Sequence, residues 1–296
     1  MKSLESIRKK ISSTEDLQSL ARSMKAVSSA NIRHYEHAEA SLREFRETID
    51  HGLQILLHAS PVRMRLEKSG GGVEVLVAFG SDRGLCGSFN ETIAELVRRH
   101  VVRRSRDEGQ TLVLAVGELA AARMMAIGIT PDSTISLPAT THGLGEVCER
   151  IVIWINQQQR INPIEHVTTI FNVTERNEQN RTRAHVLLPV PINHLRSIKS
   201  RPWPSRRLPI FDIPPDELFS WLIRQHLFAD LYNAGLSSMM SENIARLAAM
   251  HRAERNIGEM LDELTAEYRQ SRQNTITGEL MDIVSGYEVL RNDGED

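Results

Sequence analysis

Cysteine is nearly missing from this chain: Cys86 and Cys148 are the only two. They stand far apart and without paired-ligand spacing, which argues against a disulfide framework or a zinc site and makes a reducing compartment the default. Aromatic residues make up only 5%, so a binding surface of stacked rings is not expected. No uncharged apolar run approaches the roughly 20 residues of a membrane span, and any membrane association must run through partners. The opening Met1-Lys2-Ser3-Leu4-Glu5-Ser6-Ile7-Arg8 is charged and periodic, unlike a signal peptide. Charge of one sign is lacking too: Lys and Arg number 36 against 38 Asp and Glu, a net charge of −2. That balance does not suit a general nucleic-acid binder. Proline is absent before Pro61 and again from Asp216 to Leu290, so two long stretches have nothing to break a helix.

What is present is ordinary globular material: 296 residues, 41% apolar and 25% charged, ample for a sizeable core. Three zones separate by hydrophobic period. From about Ser3 to His58, apolar residues recur in steps of three and four: Leu4, Ile7, Ile11, then Leu17, Leu20, Met24, Val27, then Leu42, Phe45, Ile49, Leu53 and Leu56. A helix of about 55 residues would run about 80 Å, the length of a rod or coiled coil. Gly52 is its only interior glycine, and Pro61 with Gly70-Gly71-Gly72 closes the zone.

The second zone, from about Val73 to Arg196, alternates strands and helices. Strands are predicted at Val73–Phe79, Thr111–Val116, His166–Val173 and Ala184–Leu188, and helices at Phe89–Arg104, Glu118–Ile127 and Gly145–Gln158. This is the pattern of a three-layer α/β domain with a largely parallel sheet. A stretch rich in Pro and Arg, about Arg201 to Pro215, leads into the third zone. There Ile257, Leu261, Leu264 and Tyr268, then Ile276, Leu280, Ile283, Tyr287 and Leu290, form a coiled-coil seam. About 75 such residues would span about 110 Å, with Asp212 or Asp216 as a cap.

A long helix with one exposed apolar stripe is unstable alone. The economical remedy is for the terminal helices, 1–60 and 212–290, to pack antiparallel, with the Rossmann-like α/β domain, 73–200, inserted between them. The fold class expected is therefore α/β plus a long antiparallel α-helical coiled coil, a rod with a knob, part of the C-terminal helix protruding alone.

Three segments then carry a resemblance. Ile7-Arg8-Lys9-Lys10-Ile11-Ser12-Ser13, followed by Ser23-Met24-Lys25-Ala26-Val27-Ser28-Ser29-Ala30, opens the chain. Ser81-Asp82-Arg83-Gly84-Leu85-Cys86-Gly87-Ser88-Phe89-Asn90 lies after the first strand. Ser241-Glu242-Asn243, Arg246-Leu247-Ala248-Ala249-Met250, Asn256, Leu261, and Arg272-Gln273-Asn274-Thr275-Ile276-Thr277-Gly278-Glu279-Leu280-Met281-Asp282-Ile283-Val284-Ser285-Gly286 lie near the end. Together, in this order, they resemble the gamma subunit of F-type ATP synthase. The middle segment departs from that family's Ser-Asp-Arg-Gly-Leu-Cys-Gly-Gly-Leu-Asn only where Ser88-Phe89 replaces Gly-Leu, and the Pro- and Arg-rich 201–215 stretch differs from the acidic, aromatic one of common members.

The resemblance implies a central rotary shaft that couples ion flow through a membrane ring to ATP synthesis or hydrolysis, with no catalytic residue, cofactor or metal of its own. It implies contacts to the catalytic head through Arg8, Lys9, Met24, Arg83, Arg246, Gln273, Thr277 and Glu279. Alpha and beta subunits, an epsilon subunit and the membrane-embedded c-ring are the implied partners, on the cytoplasmic face of a prokaryotic inner membrane. Read from the residues alone, the Asp82–Gly87 loop between a strand and a helix is also the kind of place where a phosphate binds. Yet neither a dinucleotide fingerprint nor the Lys-Ser/Thr of a P-loop is there. Cys86 and Cys148 read as small buried hydrophobes. The cluster Arg98, Arg99, Arg103, Arg104, Arg106 suits either an anionic partner or a solvated helix face. The rival readings are an α/β enzyme, which needs convergent titratable residues at the strand ends, and a free-standing coiled-coil adaptor.

Overall fold

The computed structural model describes residues 4–59, 72–138, 140–174, 180–203, 205 and 209–292, with side chains as far as Ser285. The predicted helix breakers Pro61, Gly70 and Gly71, and the seam side chains of Tyr287 and Leu290, lie outside the described residues. The chain runs α1 (Leu4–Ala59), β1 (Val73–Phe79), α2 (Phe89–Arg106), β2 (Thr111–Val116), α3 (Glu118–Ala126), β3 (Ser133–Ile135), α4 (Leu144–Ile161), β4 (Ile164–Thr174), β5 (Asn180–Leu188), α5 (Ile192–Ser200) and α6 (Pro215–Asn292). It divides into two compact units. One joins the residues up to Val27 with those from Leu247 onward, and the other is Ser28–Arg246.

In the Ser28–Arg246 unit, five strands form one sheet in the order β3-β2-β1-β4-β5. All pairings are parallel except β4 with β5. Alternate residues of β1 serve opposite faces. Leu76 and Ala78 join Val113, Ala115 and Ile170 beneath Phe89, Ile93 and Val97 of α2 and Met124 of α3. Val75, Val77 and Phe79 face Leu144, Cys148 and Ile151 of α4, with Leu53 and Leu56 of α1 and Leu231 and Leu236 of α6. A sheet covered on both faces needs near-continuous apolar strands, which is why β1 and β2 read as apolar runs and not as alternating ones. Leu53 and Leu56 are fully buried, each worth about 1.5–3 kcal/mol of transfer free energy.

The sequence reading missed β3 and α5. β3 has only three residues at the sheet edge, too short to show a period. α5 places Ile192, Leu195 and Ile198 at steps of three inside a stretch crowded with proline. The start of α6 also differs from expectation: Pro215 is its first residue and the carbonyl of Pro214 accepts from Leu218 N at 3.0 Å. Proline suits a first helical position because no donor is needed there. Asp216 lies in the first turn, where it favours the helix dipole instead of capping.

Within this unit α1 and α6 are antiparallel. Moving up α1 from Tyr35 through Arg46 to Gly52, the partners descend α6, from Asn243 to Asp230 to Leu222. At Gly52 a Cβ would come within 2.9 Å of Leu222 Cδ2, so this glycine permits the close helix approach.

The actual seam of α1 repeats every seventh residue. Ser28, Tyr35, Leu42, Ile49 and Leu56 are buried in this unit, and Ile7, Thr14 and Ala21 are buried in the other. This corrects the predicted stripe through Leu17, Leu20 and Val27, which are 55%, 53% and 57% exposed. Both sets have helical periodicity. Within the unit of the chain ends, the buried small residues Thr14 and Ala21 keep the seven-residue spacing of a coiled-coil seam.

In the unit of the two chain ends, Glu254 of α6 accepts from Arg22 Nε at 2.9 Å and from Lys25 Nζ at 2.5 Å. The predicted seam residues Ile257, Leu261, Leu264 and Tyr268 are half-buried. Every residue from Arg272 to Ser285 is exposed, including Ile276, Leu280, Met281, Ile283 and Val284. This end of α6 lacks cover on all sides, as the length mismatch between the two terminal helices requires.

Candidate functional site

The loop between β1 and α2 is held from three directions within the Ser28–Arg246 unit. At its base, Ser81 is fully buried. Its N–H donates to Asn90 Oδ1 at 3.0 Å, and its hydroxyl accepts from Asn90 Nδ2 at 2.9 Å. That hydroxyl donates to the Arg83 carbonyl at 2.9 Å, which turns the chain tightly. Asp82 accepts from Glu118 N at 2.8 Å and from Leu137 N at 3.0 Å. Its carboxylate therefore satisfies a donor at the start of α3 in place of a local N-cap side chain. Leu85 and Gly87 both adopt left-handed backbone, with φ of 63° and 64°, and the non-glycine Leu85 stores strain there.

From α6, Arg246 closes the loop. Its Nε donates to the Gly84 carbonyl at 3.3 Å, and Nη2 donates to Gly84 at 3.2 Å and Arg83 at 3.4 Å. The same nitrogen donates to Glu242 Oε1, four residues earlier on the helix. Arg246 and Glu242 are only 7% and 9% exposed. Burial pushes the Glu242 carboxyl up, against the opposing pull of Arg246. Beside them a cavity of about 180 Å³ is lined by Tyr35, Arg83, Asn243 and the Arg246–Glu242 pair. Burial, then the Glu242 charge, raises the Tyr35 hydroxyl.

This arrangement is a latch and not a reaction centre. Loop carbonyls converge on a guanidinium, the reverse of a phosphate cradle, in which N–H groups converge on an anion. Cys86 sits 3.9 Å from the Ser81 hydroxyl, and burial raises its thiol. Cys148, wholly buried on α4, is pushed up to about 12 by burial and then by Glu149. Thiolate is the reactive form, so iodoacetamide at neutral pH should leave both cysteines intact in the folded chain and alkylate both in denaturant. Fast native labelling of Cys86 would contradict this.

The structure brings two of the eight sequence-predicted residues together, Arg83 and Arg246. The Arg83 side chain is exposed, while Arg246 is spent on the loop that carries Arg83. Met24 is half-buried in the unit of the chain ends, where Arg8, Lys9, Gln273, Thr277 and Glu279 are exposed. Asp82, Asn90 and Glu242 lie in the motif segments, but none was assigned a contact beforehand. The pairing of Glu242 with Arg246 was signalled by their four-residue spacing. Of the arginine cluster on α2, Arg98 and Arg99 pair with Glu95 and Arg104 with Glu165, while Arg103 and Arg106 are exposed.

The family model for ATP synthase matches residues 3–290. Two curated relatives are the ATP synthase gamma chains of Geotalea uraniireducens, 26% identical, and Pelagibacter ubique, 29% identical, each over 98% of this chain and the whole of the relative. The chain belongs to the ATP synthase gamma family. Solved structures share the fold. The rotor of Euglena gracilis mitochondrial ATP synthase aligns at a TM-score of 0.59 and 16% identity, over 92% of this chain and 98% of that one. The same organism's OSCP/F1/c-ring structure aligns at 0.62 and 14% identity, over 99% and 96%. The role of this gamma chain is that of a rotary shaft in ATP synthase. Among its described residues no helix is long and apolar enough to cross a membrane.

Proposed function

We propose that this gamma chain is a non-catalytic transmitter of torque whose terminal segments turn inside a head of alpha and beta subunits. Arg8, Lys9, Met24, Gln273, Thr277 and Glu279 make the head contacts, and Arg83 makes a further one from the loop that Arg246 latches. The α/β domain, 73–200, is the foot that bears on an epsilon subunit and the membrane-embedded c-ring, peripheral to the cytoplasmic face of a prokaryotic inner membrane. The observation that carries the reading is the end of α6. From Arg272 to Ser285 it is helical, exposed all round, and carries five large apolar side chains beside Gln273, Thr277 and Glu279. Such a surface calls for an enclosing partner.

The mechanism follows from differential binding. A shaft can drive another subunit between states only if it binds those states unequally. An asymmetric two-helix shaft presents a different face to each catalytic subunit as it turns. Its contacts must form and break at every step, which polar contacts worth about 0.5–1.5 kcal/mol each can do. Nucleotide chemistry stays in the head.

The test is the triple variant Gln273→Ala, Thr277→Ala, Glu279→Ala. All three positions are exposed, so the isolated chain should melt within about 0.5 kcal/mol of wild type. The assembled enzyme should lose coupling between ATP hydrolysis and ion pumping. Full coupling in the variant, or failure of the wild-type chain to co-purify with alpha and beta subunits, would sink the head assignment. Turnover by the isolated chain would sink the non-catalytic one.

A further inference from the structure

The Ser28–Arg246 unit gathers a second cluster of polar side chains, away from the latch. Asp50 comes from α1, His194 from α5 and His226 from α6. Each offers one ligand atom, and the three atoms lie within 4.8 Å of one another. The rings of His194 and His226 are 5.2 Å apart between centroids. We propose that Asp50, His194 and His226 form a binding site for a divalent transition-metal ion of the zinc class.

Three observations carry it. The donor set is two imidazoles and one carboxylate, which suits zinc and its neighbours and is poorly suited to calcium or magnesium, which take oxygen ligands. His194 Nε2 is buried and has no hydrogen-bond partner among the described residues. A buried orphan nitrogen is costly, and a metal ion satisfies it through its lone pair. His226 is 5% exposed, so its ring is held inside the protein beside that of His194.

Outer partners are also in place. Arg201 Nη1 holds Asp50 Oδ2 at 2.8 Å, which orients the carboxylate and leaves Oδ1 for an ion. Asp230 Oδ2 lies 3.4 Å from His226 Nε2, one helical turn further along α6. Carboxylates beside a ligating histidine raise its basicity and fix its ring. The cation of Arg46 opposes an ion, but it is paired to Asp230 at 2.7 Å.

Three protein ligands leave a coordination position for water or an exogenous ligand. Mechanically, the ion would clip α1, α5 and α6 together at the level of the α/β domain. Since it binds folded chain and not unfolded chain, it would also raise stability by mass action. The site does not rest on the rotor reading.

The experiment uses the purified full chain, stripped with chelator and titrated with Zn²⁺ by calorimetry and with Co²⁺ by visible absorption. One ion per chain is expected, with a Co²⁺ spectrum of low coordination number and a melting temperature that rises with Zn²⁺. His194→Ala and Asp50→Asn should each weaken binding by more than the roughly 10–100-fold that loss of an outer partner costs. The exposed His142→Ala should leave it unchanged. His194→Gln, which keeps bulk and polarity, serves as the second variant should His194→Ala not fold. Absence of stoichiometric Zn²⁺ binding by the wild-type chain would overturn the proposal. So would unchanged affinity in folded Asp50→Asn and His194→Gln chains.

Discussion

Replacing Arg246 with methionine should cost about 3–5 kcal/mol of folding stability, because it leaves the Glu242 carboxylate buried without its partner. The loop carbonyls of Arg83 and Gly84 lose their donor in the same step. Denaturant melts of the purified chain would measure it. The loss should depend on pH in a set direction. Burial raises Glu242 above its ordinary value and Arg246 lowers it. A carboxyl raised in the folded state holds its proton longer there than in the unfolded chain. Its contribution is complete below the unfolded value and is lost as pH rises through the folded one. Removing Arg246 raises that folded value further, so the variant should lie closest to wild type in acid and furthest from it at neutral pH. The double variant Arg246→Met, Glu242→Leu should recover much of the deficit, since an apolar pair of similar volume carries no desolvation penalty. A flat pH profile, or a double variant no better than the single one, would show that Glu242 is not the group left stranded.

Gly117→Ala should be nearly as damaging, for a backbone reason. Gly117 has φ of +120°, a conformation that costs other residues about 1–3 kcal/mol. A Cβ there would stand 2.7 Å from Ser81 N and 2.9 Å from Ser81 O. Those atoms are fixed, because Ser81 N donates to Asn90 and Ser81 O accepts from Leu119 N. Overpacking a tight site adds about 1–3 kcal/mol, so the total is about 2–6 kcal/mol. A melting curve would show it. Hydrogen exchange should rise first at the N–H of Ser81 and Leu119, at the base of the latch. Gly87→Ala is the informative contrast. Gly87 shares positive φ but has open space where a Cβ would go. It should cost only the strain term, and equal losses at both sites would refute the steric account.

Most of the element order was legible in the sequence. β1 and β2 announce themselves as apolar runs because both faces of the sheet are covered. The two proline-free stretches became α1 and α6 because nothing in them interrupts a helix. The phase of the long helices was not legible. Periodicity shows that a stripe exists, but α1 carries two. In the fold, burial falls on Ile7, Thr14 and Ala21 and leaves Leu17, Leu20 and Val27 exposed. Thr14 and Ala21 were overlooked because small and polar residues raise no hydrophobic signal.

The order of motifs along the chain determined the family, because three matching segments in sequence are specific even when each is short. Composition and proline placement determined a helix, an α/β domain and a longer helix. Only the tertiary structure decided which residues meet. Arg246 reaches a loop more than a hundred residues earlier, and Asp50, His194 and His226 come together from three helices. Such encounters have no spacing to read, because antiparallel packing and sheet topology set them and local chain geometry does not.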